Sequence, residues 1–339
     1  MQTEIKKLPG SEIEIIGGIS ADNFEIFRPR AVKEISDSIK IDGFRPGKAP
    51  EKVLIEKVGE MAVLEKMANF ALNKEYIKII EENKIKAIGR PEITITKIAK
   101  NNPLEFKIRT AVLPDIELPD YKEIAGGITG KEEEIAVEDS EVDKALDYLV
   151  KARAEKKENG EAVIPKLDDE FAKSVGKFGS LEELKRAIKN NLKEEKTVNL
   201  AQKKRIEILD KIIESSKMDV PNILVIAEKN KMREEMKASI TQMGVKWEDY
   251  LSHIKKTEEE IEKDWDQDAL KRAKYNLAIE EIAVREKIGV PEEELGLETD
   301  KLMEYYSARY KDIDRDRVKA YTYDMMKNQK VFNLLESKK

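Results

Sequence analysis

The 339-residue chain has no cysteine and one histidine, His253. Disulfides are therefore excluded, and neither a Cys/His zinc site nor a Cys–His nucleophile pair can assemble within the chain, while carboxylate-only metal sites stay open. Aromatic residues are scarce, at 6%. No run approaches the ~18 apolar residues of a membrane-spanning helix. The opening MQTEIKKLPGSEIEI lacks the apolar segment of a secretory signal. Neither a span nor a leader is expected, and the cytoplasm is the expected compartment. What the chain has in quantity is charge, 39% of residues with a formal net of −6. That balance argues against indiscriminate polyanion binding and confines any nucleic-acid contact to a local basic tip. With 40% hydrophobic residues the chain can bury a core, but one spread thinly over charged surface, which suits elongated helices in about two or three domains.

The first ~115 residues read as a small α+β domain. Ile13 and Ile15 alternate in SEIEIIGGIS, a strand closing on a bulge or turn at Gly17-Gly18. Phe24, Phe27, Ala31, Ile35 and Ile39 recur at helical spacing, with Pro29 set to kink or divide the segment. A second helical stretch runs to about Asn83 and is split at Gly59. RPEITITKIAK and PLEFKIRTAVLP form a strand pair, with Ile93, Ile95, Leu104, Phe106 and Ile108 facing inward. Residues 116–160 read as an extended linker ending in one short helix, and ENGEAVIP as a turn. Residues 161–339 are almost wholly helical. Ser180 with Glu183 opens a long helix to about Ile213, about 50 Å at 1.5 Å per residue. Pro221 begins an arm-like helix that ends before Gly244. A third helix runs from Thr257 to Gly289, and two more lie near 299–310 and 314–335. No solenoid repeat or sustained heptad is present.

Between two helices of the first domain lies GFRPGKAP, Gly43 to Pro50. Gly43 and Gly47 allow positive φ, and Pro46 and Pro50 restrict the chain, so a tip built this way loses less entropy on binding. Phe44 is offered outward as an apolar anchor. Arg45 suits bidentate phosphate or carboxylate contact and Lys48 a point-charge contact. As a bare pattern, such a turn is an ordinary solvated loop. It is not a nucleotide loop, because the Gly-x-x-x-x-Gly-Lys-Ser/Thr order is missing.

The octet is similar at every defined position to the ribosome-docking signature of bacterial trigger factor, Gly-Phe-Arg-x-Gly-Lys-x-Pro. Downstream, VEDSEVDKALDYLVKARA, PKLDDEFAKSVGKFGSLEELKRAIKNNL and DVPNILVIAEKNKMREEM resemble that family's later helices, so the likeness covers nearly the whole chain. It implies an α+β ribosome-binding domain at 1–115, the linker at 116–160, and an elongated, mainly α-helical substrate-binding domain with arm-like hairpins at 161–339. It further implies a chaperone that needs no ATP and no cofactor. Its partners would be the ribosome, through an exit-tunnel protein and ribosomal RNA, and nascent or unfolded polypeptides; a homodimer away from the ribosome stays open. Gly43, Phe44, Arg45, Gly47, Lys48 and Pro50 would be the docking residues. The family's prolyl-isomerase domain, similar to the FK506-binding proteins, has only EKKENGEAVI in its place, too short for a core, so isomerase activity is not expected.

The resemblance also implies a cradle for unfolded chains. Ile226, Met232, Met236, Ile240 and Met243 on the arm helix, with Met325 later, supply adaptable apolar surface for it; for each methionine, core packing is the plainer account. Trp247, Tyr250 and Trp265 read as packing anchors and His253 as an exposed helix residue. The acidic runs KEEEIAVED and TEEEIEKD lack Ca²⁺-loop spacing and read as solvated faces. Two alternatives remain, a ribosome-independent holdase or assembly scaffold and a residual peptidyl-prolyl isomerase.

Overall fold

In the computed structural model, residues 3–130, 135–153, 155–156, 162–163, 165–307 and 313–337 are described. In chain order they form β1 (Glu4–Leu8), β2 (Glu12–Ile19), α1 (Ala21–Glu25), α2 (Arg28–Ser38), α3 (Glu51–Val58), α4 (Glu60–Glu82), β3 (Ala87–Lys97), β4 (Leu104–Val112), α5 (Tyr121–Thr129) and α6 (Asp139–Ala152). Next come β5 (Glu155–Lys156), β6 (Ala162–Val163), α7 (Asp169–Val175), α8 (Leu181–Ser215), α9 (Asn222–Gln242) and α10 (Trp247–Ile254). The remainder is α11 (Glu258–Asp264), α12 (Asp266–Arg285), α13 (Glu292–Ser307) and α14 (Arg315–Glu336). They gather into two compact units, residues 1–117 with 217–277, and residues 118–216 with 278–339.

The first unit is built on an antiparallel sheet of order β1-β2-β4-β3. Strict alternation puts Ile13, Ile15 and Ile19 of β2 and Leu104, Phe106 and Ile108 of β4 on one face, which α4 covers with Val63, Leu64, Met67, Ala68, Ala71, Leu72 and Ile79. Thr110, buried on that face, is satisfied by the Tyr76 hydroxyl at 3.1 Å. Pro29 sits in the first turn of α2 and Gly59, at φ 85°, separates α3 from α4, as the sequence indicates.

Three readings change. Gly17-Gly18 is not a turn: β2 runs straight through, Gly17 pairs with Phe106, and a Cβ on Gly17 would come within 2.8 Å of that ring. The glycine is there because an aromatic side chain lies across the backbone. Ile93 pairs with Ile108 but stays 37% exposed, because β3 is an edge strand with a register shift between Ile88 and Glu92. β1 was not expected, since EIKKL carries too few apolar residues to show alternation.

The root of α9 belongs to the same unit. The amides of Gly10 and Ser11, in the β1–β2 turn, donate to Asp219 Oδ2 at 2.6 and 2.9 Å, and Ser11 Oγ donates to the Asp219 carbonyl at 2.6 Å. Glu117 and Lys217 exchange backbone hydrogen bonds and add an ion pair at 3.0 Å. From there α9 pairs with α11 and α12 through Lys229 with Asp266, Arg233 with Glu258 and Glu262, and Arg272 with Glu235. Asn276 donates to the buried Glu228 at 3.0 Å.

In the second unit, Val142, Leu146 and Val150 of α6 pack with Phe171 and Ala172 of α7 and Leu184 and Ile188 of α8. The segment after residue 116 is more helical than expected. Asp120 caps α5 by accepting from the amides of Lys122 and Glu123, and Tyr121, Ala125 and Ile128 are buried. The Tyr121 hydroxyl donates to Glu286 at 2.6 Å, and burial together with that carboxylate pushes its pKa up to about 12. At the head of α8 the Glu183 carboxylate takes the Gly179 amide, one residue short of the expected reciprocal box, whereas Thr257 and Glu260 close theirs fully. The helix expected from 257 to 289 is broken at Trp265, α10 lies ahead of it, and α13 begins seven residues earlier than expected. Most of the expected turn at 158–165, and the end of the helix at 308–310, lie outside the described residues.

Candidate docking site

Residues 39–50 connect α2 to α3 and contain two consecutive turns. In the first, the Phe44 amide donates to the Ile41 carbonyl at 3.1 Å with Gly43 at φ 84°. In the second, the Lys48 amide donates to the Arg45 carbonyl at 3.0 Å, with Pro46 and then Gly47 at φ 75° between them. Pro followed by a left-handed glycine is the arrangement of a type II turn. The Gly47 amide itself donates to the Ser36 carbonyl at 2.9 Å, fastening the loop to the last turn of α2. Glycine is favoured there for its left-handed φ; a Cβ would also meet the end of the exposed Asp37 side chain, which would have to turn away. Pro50 is the N-cap of α3.

Phe44 at the tip is 40% exposed, and Arg45 and Lys48 are exposed; among the described residues neither cation has an ion-pair partner. One aromatic edge and two cations thus share a short stretch held by local hydrogen bonds, able to present an apolar contact and two anion contacts together. The sequence singled out the tip but not Ser36, whose carbonyl fastens it; a helix terminus five residues before Gly43 is the sequence signal for it.

The six residues assigned to polypeptide binding divide by burial. Met232 and Ile240 are buried and belong to the packing of α9, as the plainer account has it; Met236 is half-buried. Ile226, Met243 and Met325 are exposed, and Met325 lies in the other compact unit from α9. Trp247 stacks on Tyr250 with ring centres 5.8 Å apart and donates to Glu258 at 3.0 Å. That bond, with Lys237 and Arg233 alongside, holds the Glu258 carboxyl below its usual range. His253 is exposed on α10. Of the acidic runs, TEEEIEKD is engaged in caps and ion pairs, and residues 131–134 of the other lie outside the described residues. Among the described residues no three metal-ligating side chains cluster, and no helix is long and apolar enough to cross a membrane.

Two family models match in succession, "Bacterial trigger factor protein (TF)" over residues 1–149 and "Bacterial trigger factor protein (TF) C-terminus" over residues 180–339. The chain belongs to the trigger factor family. Its relatives include trigger factors of Caldicellulosiruptor bescii, 26% identical over 91% of this chain and 89% of that protein, and of Halothermothrix orenii, 25% identical over 87% and 88%. The alignment with the former spans 393 positions, more than the 339 residues present here, so that trigger factor carries residues with no counterpart in this chain. The two family matches leave only residues 150–179 between them, too few for the isomerase domain. A solved structure described as "Promiscuous Substrate Recognition in Folding and Assembly Activities of the Trigger Factor Chaperone" superposes with a TM-score of 0.56 at 19% identity, covering 98% of this chain and 99% of that one. It shows that the trigger factor fold extends over the whole chain. The chain is thus a trigger factor chaperone without the isomerase domain.

Proposed function

We propose that this trigger factor is a ribosome-associated chaperone acting without ATP in the cytoplasm, docking at the polypeptide exit site through Gly43, Phe44, Arg45, Gly47, Lys48 and Pro50. The observation that carries the reading is the double turn that leaves Phe44 exposed, followed by two exposed cations without ion-pair partners among the described residues. Phe44 supplies the apolar contact to a ribosomal protein, and Arg45 and Lys48 neutralise RNA phosphates or protein carboxylates, so binding weakens as salt is raised. The exposed Ile226, Met243 and Met325, with the half-buried Met236, offer emerging polypeptide dispersed apolar contacts set among charges. Such contacts are adaptable and individually weak, so a client leaves without an energy source.

Co-sedimentation with ribosomes tests the docking step. The triple variant Phe44→Ala/Arg45→Ala/Lys48→Ala should bind about tenfold or more weakly. Equal pelleting of variant and wild type removes the docking role. The holdase reading makes its own demand: suppression of aggregation of an unfolded client should survive the triple variant and fall in Ile226→Ser/Met243→Ser/Met325→Ser. Acceleration of proline isomerisation in a peptide assay would restore the enzymatic alternative.

A further inference from the structure

Arg28, at the start of α2, reaches across to α3, on the far side of the docking loop, as well as to α1 and α4. Its guanidinium is 11% exposed and meets Glu51 of α3 (Nε to Oε1, 2.7 Å), Glu60 of α4 (2.7 Å) and Glu25 of α1 (3.7 Å). Glu60 in turn reaches Lys100 in the β3–β4 turn at 3.5 Å. Nη1 of Arg28 and Oε1 of Glu60 are buried and meet outside hydrogen-bond alignment, so this contact is a charge pair, while the bond to Glu51 is properly directed. The Glu60 carboxylate holds the guanidinium above its ordinary range, and Arg28 holds Glu60 below its own.

Two fixed points then define the course of the loop. Gly47 is bonded to Ser36 near the end of α2, and Glu51 to Arg28 near its beginning. From residue 36 back to 28 a helix spans about 12 Å. Residues 47 to 51, which include a bend at Ala49, span at most about 13 Å. The second half of the loop therefore runs back along α2, pinned at both ends, and only the tip around residues 42–46 projects past the helix terminus. The packing of Leu54 holds the body of α3, and the Arg28 contact fixes its first residue, where the loop enters.

We infer that Arg28 is a positioning residue for the docking loop: through Glu51 it fixes the return strand along α2, so that Phe44, Arg45 and Lys48 are presented in one orientation. The inference rests on the docking reading of the loop. It requires no contact between Arg28 and the partner.

The test uses the full chain with Arg28→Met, Glu51→Ala and the double variant, read by amide hydrogen exchange in the free protein and by ribosome co-sedimentation. Glu51→Ala is the safer variant, because Glu51 is half-exposed and its loss leaves no carboxylate stranded. Exchange at Phe44, Gly47 and Lys48 should speed up about three- to tenfold in either single variant, with the double variant no faster than Arg28→Met, the non-additivity of a coupled pair. Amides of β4 should stay as in wild type, and ribosome affinity should fall by a similar factor. Arg28→Lys, which keeps the charge but reaches fewer carboxylates, should restore part of the loss. Unchanged loop exchange in Glu51→Ala, or exactly additive effects, overturns the inference. If the loop loosens but the triple variant of the tip pellets like wild type, the docking reading fails and the stem function stands.

Discussion

The head of the first unit and the helical arm rooted in it are held together by different means. In the head, Phe24, Phe106, Leu104, Ile15, Ile108 and Met67 are fully buried around one face of a sheet. Along α9, the buried positions facing α11 and α12 are Glu228, Met232 and Ile240, and much of the contact passes through Lys229, Arg233, Glu235 and Lys237 and their partners. The head depends on removing apolar area from water, which ions do not screen and which is large per residue. The arm has a thinner apolar layer, with Met232, Ile240, Ile261, Ala269, Ala273 and Leu277 buried, and adds partly exposed charge pairs, each worth less than about 1 kcal/mol and screened by ions. Under the proposed function, an arm that is easily loosened suits clients of unrelated shape, whereas the head holds one loop in one place.

The sharpest way to break this contrast is Phe106→Ala. It should cost about 3 to 5 kcal/mol in urea unfolding of the full chain, since the ring is fully buried and also covers Gly17. A loss below 1 kcal/mol means the head is not cored as described. Next in size, Asp219→Ala strands the amides of Gly10 and Ser11 and should cost about 1 kcal/mol, with faster exchange at both amides and little change in α4. Arg233→Met should cost less than about 1 kcal/mol, and raising salt from 0.1 to 1 M should speed exchange along α9 in wild type and by a smaller factor in the variant, which keeps the pairs of Lys229, Glu235 and Lys237. Equal salt response in the head and the arm removes the distinction.

The smallest effect is a titration. Glu258 and Glu60 have carboxyl groups held below their ordinary value of 4.5, chiefly by Trp247 and by Arg28 respectively. A depressed folded-state pKa stabilises the fold fully above the unfolded value and loses that contribution as pH falls through the folded one. Stability should therefore be flat near pH 6 to 7 and decline below about 4.5. Because Trp247 donates to Glu258, the fluorescence of a Trp265→Phe variant should shift over the same acid range, and Glu258→Gln should abolish that shift.

Much of the head was legible because its periods are strict. β2 and β4 alternate without interruption, and Gly59 and Pro29 punctuate the helices as their backbone chemistry dictates. What stayed hidden has physical causes. β1 is an edge strand with an exposed, charged pattern, and α5 is short, glycine-containing and preceded by Pro114 and Pro119. Met232 and Ile240 share their spacing with residues that are exposed, and periodicity names a face without saying what covers it. The tip of the docking loop could be read because glycine and proline are rare and local in effect. Its stem could not, because Arg28 meets Glu51 across a fold that no spacing rule encodes.

The first unit is discontinuous in the chain: residues 1–117 are completed by 217–277, and the acceptor for the β1–β2 turn, Asp219, lies more than 200 positions after Gly10. During vectorial synthesis at about 5 to 20 residues per second, the hairpin amides await their carboxylate for on the order of ten seconds or more after the sheet has emerged. This chaperone is itself a nascent chain with a late-closing contact, and for that interval the two amides of its first hairpin are left to water.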